Sequence, residues 1–586
     1  MTTDLTRRGV LGLAAAGGLG VALGAAGAFG PGAATPAAAS ALGAARSAGA
    51  AGRATATAGT TAPSALAPAV TAAATPDPGL TPFPQQTDLN FQTLTAYGEA
   101  AYQAGEVGEV ASAVAAVQAA ITAGGAEAIP AYQPYADSFE ALAAQLAGEA
   151  DAELAAGRLV TARARYLRAA SYYNCVLFFV LGTDAPGREA EVYAAMQRCW
   201  AAAASLMNPV LQRVEVPASV RFRELDGTVT TRTVTLPAYW GRASGAGSHP
   251  TVIINNGSDA QLVDLWAFGG AAALERGYNV LMFEGPGQGS LLFEQNIPFT
   301  PYWGDVITPL VDFALSQPET DASRLALTGW SFGGLLVMRA AATEHRLAAV
   351  VADPGFWDNT QPWQPLVEAM EQYFGSVSNA NWMELFEGTT PAYGTDGQDA
   401  LKFLVNKRGE IYGSALHDEA RSGGVVSDIV GLLDALTALN ADAALMGEVT
   451  SHVLLNEYES DVFFSGQGAQ VEAWLTKAAS VSNHLFGYAT GTEFHCAPMA
   501  PQVRNEVVFD WLDSVLGVTP VPPPTPTPVV PPAPVTPPAL AATGASGAGA
   551  LTGAVTATAA VAAGAAAVGA GAAISSRRSR TRSDQA

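Results

Sequence analysis

The sequence has few positive charges and few cysteines, and each shortage excludes a class of protein. Its 586 residues contain 29 Lys and Arg against 52 Asp and Glu, a formal net charge of −23. Because nucleic-acid binding requires a basic face that neutralises phosphates, nucleic acid is not expected as a partner. Three cysteines, Cys175, Cys199 and Cys496, are too few for a disulfide framework. We expect buried free thiols, with a Cys175–Cys199 pair as the alternative.

The N-terminal end is poor in aromatic and charged residues and has the layout of an export signal. Residues 1–41 carry Arg7 and Arg8, then a weakly apolar stretch and small residues around Ala39-Ser40-Ala41. This order predicts a signal peptide, and the Arg pair resembles the twin-arginine type, which implies the twin-arginine translocase as a partner. An ordinary secretory signal and an uncut membrane anchor are the alternatives. Residues 42–85 are interpreted as a spacer that has too little apolar surface to form a core.

The C-terminal end has the order of a wall-sorting signal. Residues 518–539 are rich in proline and predict an extended spacer. Residues 540–586 contain Leu540-Ala541-Ala542-Thr543-Gly544, an apolar stretch long enough to cross a bilayer, and four arginines. This order resembles a Gram-positive sorting signal, which implies cleavage between Thr543 and Gly544 by a sortase and attachment to peptidoglycan. The resemblance implies a secreted, wall-anchored protein whose precursor is transiently in the membrane. A tail that matches by chance is the alternative.

The central block predicts two domains. Residues 86–210 are rich in alanine, have helical periodicity and are interpreted as a helical cap domain. Residues 211–517 begin with alternating strands and continue as alternating strands and helices, which predicts a mostly parallel sheet covered on both faces. Residues 355–445 exceed what strand–helix units need and are interpreted as a lid-like insertion. The helix Ala267–Arg276 is expected between two buried strands.

A Gly-x-Ser-x-Gly string lies where a strand should meet a helix. Gly329 and Gly333 flank Ser331, after the apolar run at Leu325 and before a stretch with helical composition. Glycines at these positions permit a tight turn that exposes the serine hydroxyl above the C-terminal edge of the sheet. The context therefore predicts that Ser331 is a catalytic nucleophile.

The base and the acid follow from position along the chain. Of six histidines, His495 alone follows a strand and a short loop, which puts it on the same edge as Ser331. His484 is expected at the N-terminal end of a strand, the opposite edge. Asp461, in the loop after an earlier strand, is predicted to orient the imidazole, with Glu459 as the alternative. The order Ser331, Asp461, His495 is the chain order of α/β-hydrolases.

Two loops are expected beside this triad. The backbone N–H of Phe332 and that of Ser258 or Gly257 are predicted to form the oxyanion hole. The glycine-rich loop 285–289 lacks the Lys-Ser/Thr of a phosphate loop and is interpreted as a tight turn at the rim of the site. No H-E-x-x-H cluster appears, so we predict no metal and no cofactor.

These motifs together resemble one family. Asn256-Gly257-Ser258-Asp259, the loop 284–289, the serine turn and the segment around His495 resemble the α/β-hydrolases related to 2,6-dihydropseudooxynicotine hydrolase, the fungal yellowish-green pigment polyketide hydrolase and the fermentation-respiration switch protein. The resemblance covers about residues 90 to 517 and implies an α/β-hydrolase fold with an N-terminal helical cap. Well-known members cleave carbon–carbon bonds in β-diketone-like compounds. Asn256 departs from the family pattern, which has glycine there.

The expected function is therefore a serine hydrolase that acts on a small-molecule carbonyl substrate. An ester, an amide or a β-diketone carbon–carbon bond would suit the triad, and a peptidase related to acyl-peptidases or dipeptidyl-peptidases is an alternative. A binding protein built on an inactive hydrolase scaffold is the alternative from another class.

Overall fold

The computed structural model describes residues 81–84, 86–125, 130–386 and 395–518. These residues belong to one compact unit. The predicted export signal, nearly all of the spacer, the proline-rich segment and the sorting signal with Thr543 and Gly544 lie outside the described residues. The spacer was expected to reach residue 85, but Phe83 is buried and its ring lies 6.0 Å from that of Tyr135. The folded part therefore begins before the predicted boundary.

An eight-stranded sheet forms the centre of the fold, in the order β1-β2-β4-β3-β5-β6-β7-β8. The strands are β1 Gln212–Arg223, β2 Val229–Gly241, β3 His249–Asn255, β4 Asn279–Phe283, β5 Thr320–Trp330, β6 Ala349–Asp353, β7 His452–Tyr458 and β8 Ser480–Phe486. β1 pairs antiparallel with β2, and β2 antiparallel with β4, whereas the other pairs are parallel. The predicted sheet class is confirmed: an antiparallel start is followed by a parallel sheet.

Two inner strands, β4 and β6, are buried along their whole length because helices cover both faces of the sheet. All five residues of β4 and of β6 are buried. Helices are numbered in chain order; α1 to α5 belong to the cap and α11 to α16 to the insertion, and both sets are described below. The helices along the sheet domain are α6 Leu262–Leu265, α7 Ala271–Glu275, α8 Gly289–Phe293, α9 Gly304–Ser316, α10 Gly333–Ala341, α17 Gly468–Trp474 and α18 Pro501–Leu516. Continuous apolar strands are typical of parallel sheets covered on both faces.

Within the described residues, five helices precede the sheet and form the cap. They are α1 Thr87–Gly98, α2 Val107–Gly124, α3 Tyr132–Ala155, α4 Leu159–Phe179 and α5 Glu189–Ser205. Tyr166 and Tyr172 of α4 are buried in the core, and Phe178 of the same helix also reaches the cavity described below. The three cysteines are buried and unpaired.

The insertion between β6 and β7 is helical as well. Its helices are α11 Gln364–Phe374, α12 Asn379–Glu384, α13 Thr395–Gly409, α14 Ser414–Arg421, α15 Ile429–Ala438 and α16 Ala443–Met446. The cap and the insertion meet at a buried ion-pair network: Lys407 Nζ donates to Glu410 Oε1 at 2.8 Å, and Arg421 Nε donates to Glu189 Oε2 at 3.0 Å. Lys407 Nζ also lies 3.6 Å from Glu189 Oε1, so Glu189 of α5 contacts both α13 and α14.

The helix predicted over Ala267–Arg276 is confirmed in part: its second half, Ala271–Glu275, is an α-helix, but its first half is kinked. The chain is helical from Leu262, but Phe268 and Gly269 leave helical geometry, Gly269 with φ of 153°. A Cβ at Gly269 would lie 3.0 Å from Ile254 Cδ1, so the close approach of this segment to β3 explains the interruption. The composition of the segment alone does not predict this contact with β3.

Two segments within the described residues have the length and composition of a membrane span. They are Val107–Gly124 and Ile429–Met446, with mean hydropathy of 1.4 and 1.5. Val117 of the first and Leu432 of the second are fully buried in the core of the fold. One-sided burial is the pattern of an amphipathic helix that packs on a core, so neither segment argues for a membrane span.

Candidate active site

Ser331 occupies a strained turn between β5 and α10. Its φ is 59°, a left-handed value that non-glycine residues rarely adopt. Two backbone hydrogen bonds hold the turn: Ser331 N–H donates to the Asp353 carbonyl at 2.7 Å, and Gly334 N–H donates to the Ser331 carbonyl at 2.9 Å. The end of β6 therefore fixes the position of the serine.

The two glycines of the motif are required by space. A Cβ at Gly329 would lie 2.1 Å from the Gly333 carbonyl oxygen. A Cβ at Gly333 would lie 2.6 Å from the Asn256 carbonyl oxygen. Because real Cβ atoms do not approach backbone oxygens this closely, any side chain at either position would displace the turn or the loop after β3.

The structure brings Ser331, His495 and Asp461 into one hydrogen-bonded chain. Ser331 Oγ lies 2.9 Å from His495 Nε2, and His495 Nδ1 lies 2.8 Å from Asp461 Oδ2. Both His495 and Asp461 are buried. Glu459, the alternative acid, is exposed and accepts the Tyr488 N–H at 3.2 Å, so it is directed away from the imidazole.

The Asp461 carboxylate is held in its charged form. Its Oδ1 accepts the N–H of Phe463 at 2.7 Å and that of Phe464 at 3.1 Å. Burial raises the pKa of Asp461, but the His495 ring and these two N–H groups outweigh burial, so the pKa lies below its ordinary value. An anionic Asp461 is suited to fix the Nδ1–H tautomer of the histidine.

This depressed pKa gives a prediction about acid stability. A carboxyl group whose pKa is lower in the folded state stabilises the fold above its unfolded pKa of about 4, and this stabilisation is lost as the pH falls through the folded pKa. We therefore expect the urea midpoint of the wild type to fall more steeply than that of Asp461→Asn between about pH 5 and pH 2. Equal losses in the two proteins would contradict the assignment of an ionised Asp461.

The other histidines lie elsewhere. His249 and His452 are the first residues of β3 and β7, at the N-terminal edge of the parallel strands and thus opposite Ser331. His484 lies inside β8 and does not begin it, so that detail of the prediction is wrong. His417 is buried within α14, between the cap and the insertion.

The loop after β3 lies against the serine. Gly257 N–H is already bonded to Asn256 Oδ1 at 2.8 Å, whereas the N–H groups of Ser258 and Phe332 donate to no other described residue. Asn256, the departure from the family pattern, uses its side chain inside the loop, since its Nδ2 donates to the Ala260 carbonyl. Of the two alternatives for the second oxyanion donor, the hydrogen bonds leave Ser258 N–H available.

A residue that sequence reasoning missed fixes this loop. Gln288 Nε2 donates to the carbonyls of Asn256 and Gly257, each at 2.9 Å, and its Oε1 accepts Gly285 N–H at 3.0 Å. The glycine-rich loop therefore braces the candidate oxyanion loop from behind. A glutamine between two glycines carried no signal of this role, because its partners are about 30 residues away.

Gly257 should tolerate no side chain. A Cβ there would lie 2.7 Å from Ser331 Cβ and 2.8 Å from the Trp330 carbonyl oxygen. We expect Gly257→Ala to lower the rate of labelling by a fluorophosphonate about 100-fold, because displacement of a reacting group by about 1 Å costs that much. Gly148→Ala is the matched control, since Gly148 lies in α3 and a Cβ there would meet no neighbouring atom within 4 Å. Equal rates for the two variants would contradict this packing argument.

A cavity opens above the triad. A neighbouring chamber shares His495 and several of its walls. Helices α1 and α4 of the cap and α13 of the insertion contribute lining residues. The aromatic side chains around the first chamber are Phe91, Phe178, Trp330, Phe332, Trp363, Tyr412, Phe463 and Phe464. The cavity is thus suited to an extended apolar molecule.

One buried group of side chains has the composition of a metal site. Glu189, Glu410 and His417 present ligand atoms within 4.8 Å of one another. Glu189 is paired with Arg421 and lies 3.6 Å from Lys407, and Glu410 is paired with Lys407. Because these two cations already neutralise both carboxylates, we assign the group to the junction between helices and propose no metal there.

The fold and the arrangement of these residues define a hydrolase of the α/β type, and comparison with known proteins agrees. Residues 243–479 match the model of the alpha/beta hydrolase family. The alpha/beta hydrolase ucsC of Acremonium sp. is 29% identical over 288 residues, which cover 47% of this chain and 57% of that protein. The hydrolase ORFZ of Pyricularia oryzae is 32% identical over 310 residues, covering 50% of this chain and 67% of that protein.

The chain belongs to the alpha/beta hydrolase family and is an enzyme of that type. The matches span little more than half the length of several curated relatives. A crystal structure of 2,6-dihydroxy-pseudo-oxynicotine hydrolase is 21% identical, covers 65% of this chain and 88% of its own, and has a TM-score of 0.44.

Proposed function

We propose that the protein is a serine hydrolase in which Ser331 is the nucleophile, His495 the general base and Asp461 the residue that orients the histidine. The observation that supports this proposal is the hydrogen-bonded chain of 2.9 Å and 2.8 Å that runs from the Ser331 hydroxyl to the Asp461 carboxylate. Ser331 Oγ attacks the carbonyl carbon while its proton moves to His495 Nε2. Asp461 stabilises the imidazolium that forms.

The tetrahedral intermediate requires donors for its oxyanion. We assign the N–H groups of Phe332 and Ser258, which have no other partner among the described residues. Donors of this kind contribute about 3 kcal/mol each to transition-state stabilisation. His495 then returns the proton to the leaving group, and water, activated by the same histidine, releases the acyl group from Ser331.

The bond that is cleaved is an ester or the carbon–carbon bond of a β-diketone. In the second reaction the leaving group is an enolate, which His495 protonates at carbon. The aromatic lining of the cavity favours an apolar small molecule. A serine peptidase is the second candidate of the same chemistry. Because a Ser-His-Asp triad can cleave both esters and amides, the experimental panel includes amides.

A fluorophosphonate probe tests the catalytic proposal. We expect the wild type to be labelled at Ser331, and a panel of aryl esters, aminoacyl amides and β-diketones to identify the bond. An unlabelled wild type, or equal labelling of wild type and Ser331→Ala, would favour the alternative of a binding protein on an inactive scaffold.

We also propose that the enzyme acts outside the cell, attached to the wall. The support is the order of sequence features at both ends: the Arg7-Arg8 signal, and the pentapeptide ending in Thr543-Gly544 before an apolar stretch and a basic tail. On this proposal the twin-arginine translocase exports the folded chain, and a sortase joins Thr543 to peptidoglycan. Thr543→Ala should then move the protein from the wall fraction to the membrane or the medium, and unchanged wall attachment would refute the proposal.

A further inference from the structure

One arginine side chain reaches the cavity above the triad. Arg408, near the end of α13, is the one Lys or Arg among the described residues that line the first chamber, and it also lines the second. Its side chain keeps 22% of its surface exposed. Because the chain as a whole carries a charge of −23, anionic ligands are repelled unless a local positive group attracts them.

The guanidinium group uses only part of its hydrogen-bonding capacity. Arg408 Nη1 donates to Asp259 Oδ2 and lies 3.4 Å from Ser258 Oγ. Its Nε and Nη2 groups carry three N–H donors, and these have no hydrogen-bond partner among the described residues. Both nitrogen atoms retain solvent-accessible surface. The free donors are therefore available to a molecule in the cavity.

The surroundings hold this guanidinium in place. Its central carbon lies 5.4 Å from the ring centroid of Phe463 and 5.9 Å from that of Phe178. The rings of Phe463 and Phe178 and the carboxylate of Asp259 restrict the Arg408 side chain. Little rotamer freedom therefore remains to be lost when a ligand binds. A planar, oriented guanidinium in apolar surroundings is suited to bind two oxygens of one anionic group.

We propose that Arg408 forms an anion-binding subsite, so that the preferred substrate is an apolar carbonyl compound that also carries an anionic oxygen. This inference rests on the proposed function and specifies the substrate class. The Nη1 contact with Ser258 Oγ at 3.4 Å places the subsite next to the candidate oxyanion loop, so a compound whose reacting carbonyl binds in that loop would have a second oxygen within reach of Arg408. Asp259 shares the guanidinium and limits the affinity for the anion. Its Oδ1 has no hydrogen-bond partner among the described residues.

Two sources of the anionic oxygen are distinguished by matched substrates. An aryl ester that carries a carboxylate is compared with its carboxamide isostere, and a 1,3-diketone is compared with its 2,2-dimethyl derivative, which cannot form the enolate delocalised over both carbonyls. The measured quantity is the ratio of kcat/KM within each pair. We expect Arg408→Gln to reduce this ratio about tenfold or more in the pair that contains the true anion, as charge-assisted hydrogen bonds require.

Three variants separate recognition from folding and from net charge. Arg408→Lys keeps the charge but not the planar fork, and should recover part of the ratio. Asp259→Asn removes the competing carboxylate and should raise the ratio. Arg242→Gln changes the net charge equally at an exposed residue that does not line the cavity, and should leave the ratio unaltered.

A binding measurement remains decisive even where no compound of the panel is cleaved. Ser331→Ala and Ser331→Ala/Arg408→Gln are titrated calorimetrically with 2-naphthoate and with 2-naphthamide. We expect the naphthoate to lose about tenfold or more in affinity with the loss of Arg408, and the naphthamide to lose much less. Equal losses for both compounds, or ratios unchanged in both substrate pairs, would overturn the anion subsite. Failure of the triad would appear separately, as an unlabelled wild type in the fluorophosphonate experiment.

Discussion

Replacement of Ser331 by alanine should lower kcat about 10⁴- to 10⁶-fold for whichever ester or diketone the panel identifies. The serine oxygen is the atom that forms the bond to the carbonyl carbon, and its hydrogen bond of 2.9 Å to His495 provides the path for its proton. Alanine removes both. The residual rate above that of water would come from the oxyanion donors and from binding in the cavity.

The fold should survive this substitution. Alanine at position 331 keeps the backbone hydrogen bonds to Asp353 and Gly334, and it meets the same strain at a φ of 59° as serine does. Circular dichroism and the thermal midpoint should therefore match the wild type. Ser205→Ala, at the exposed end of α5, is the matched control and should retain full activity. A loss of less than about tenfold in Ser331→Ala would show that another group attacks the substrate.

The elements found from the sequence are those with local signals. The serine turn has glycines at positions where no side chain fits, and the flanking strand and helix are indicated by their composition. His495 and Asp461 follow from topology, because residues that come after parallel strands gather on one edge of the sheet. The loop positions could therefore be assigned without any knowledge of side-chain contacts.

The residues that were missed act across large separations in the chain. Arg408 meets Asp259 from a helix 149 residues later, and Arg504 meets Asp353 from 151 residues later. Each arginine lies in an amphipathic helix where a charged residue normally indicates a solvated face. Nothing in the local pattern shows that the insertion folds back over the oxyanion loop, or that the last helix reaches beneath the serine. Those contacts depend on how the helices pack, which a single sequence does not specify.

Arg504 provides the largest expected effect on stability. It is fully buried in α18, its Nε lies 2.5 Å from Asp353 Oδ2, and its Nη1 donates to the Phe268 carbonyl at 2.9 Å. Burial lowers the pKa of Arg504, but the Asp353 carboxylate more than offsets this, so the group remains charged. The Tyr458 hydroxyl also donates to that carboxylate. One arginine therefore compensates a charge at the end of β6, directly beneath the serine turn.

Arg504→Met should cost about 3 to 5 kcal/mol of folding free energy, because it leaves the Asp353 carboxylate buried and unpaired. The urea midpoint measures this loss. Arg276→Met is the matched control: Arg276 contacts Asp510 at 3.9 Å on the surface, and such pairs contribute about 1 kcal/mol or less. A loss in Arg504→Met no larger than in Arg276→Met would contradict the role assigned to the buried pair.

The double variant Asp353→Asn/Arg504→Met distinguishes a lost charge pair from lost packing. If the cost of Arg504→Met comes from the uncompensated carboxylate, then removing that charge should recover about half of the stability or more. Activity should respond as well, since the Asp353 carbonyl accepts the Ser331 N–H at 2.7 Å, and a shift of that strand end moves the nucleophile. Recovery of both the labelling rate and the urea midpoint would show that the buried ion pair at the end of β6 also maintains the geometry of Ser331. Recovery of the urea midpoint alone would show that the pair contributes to stability only.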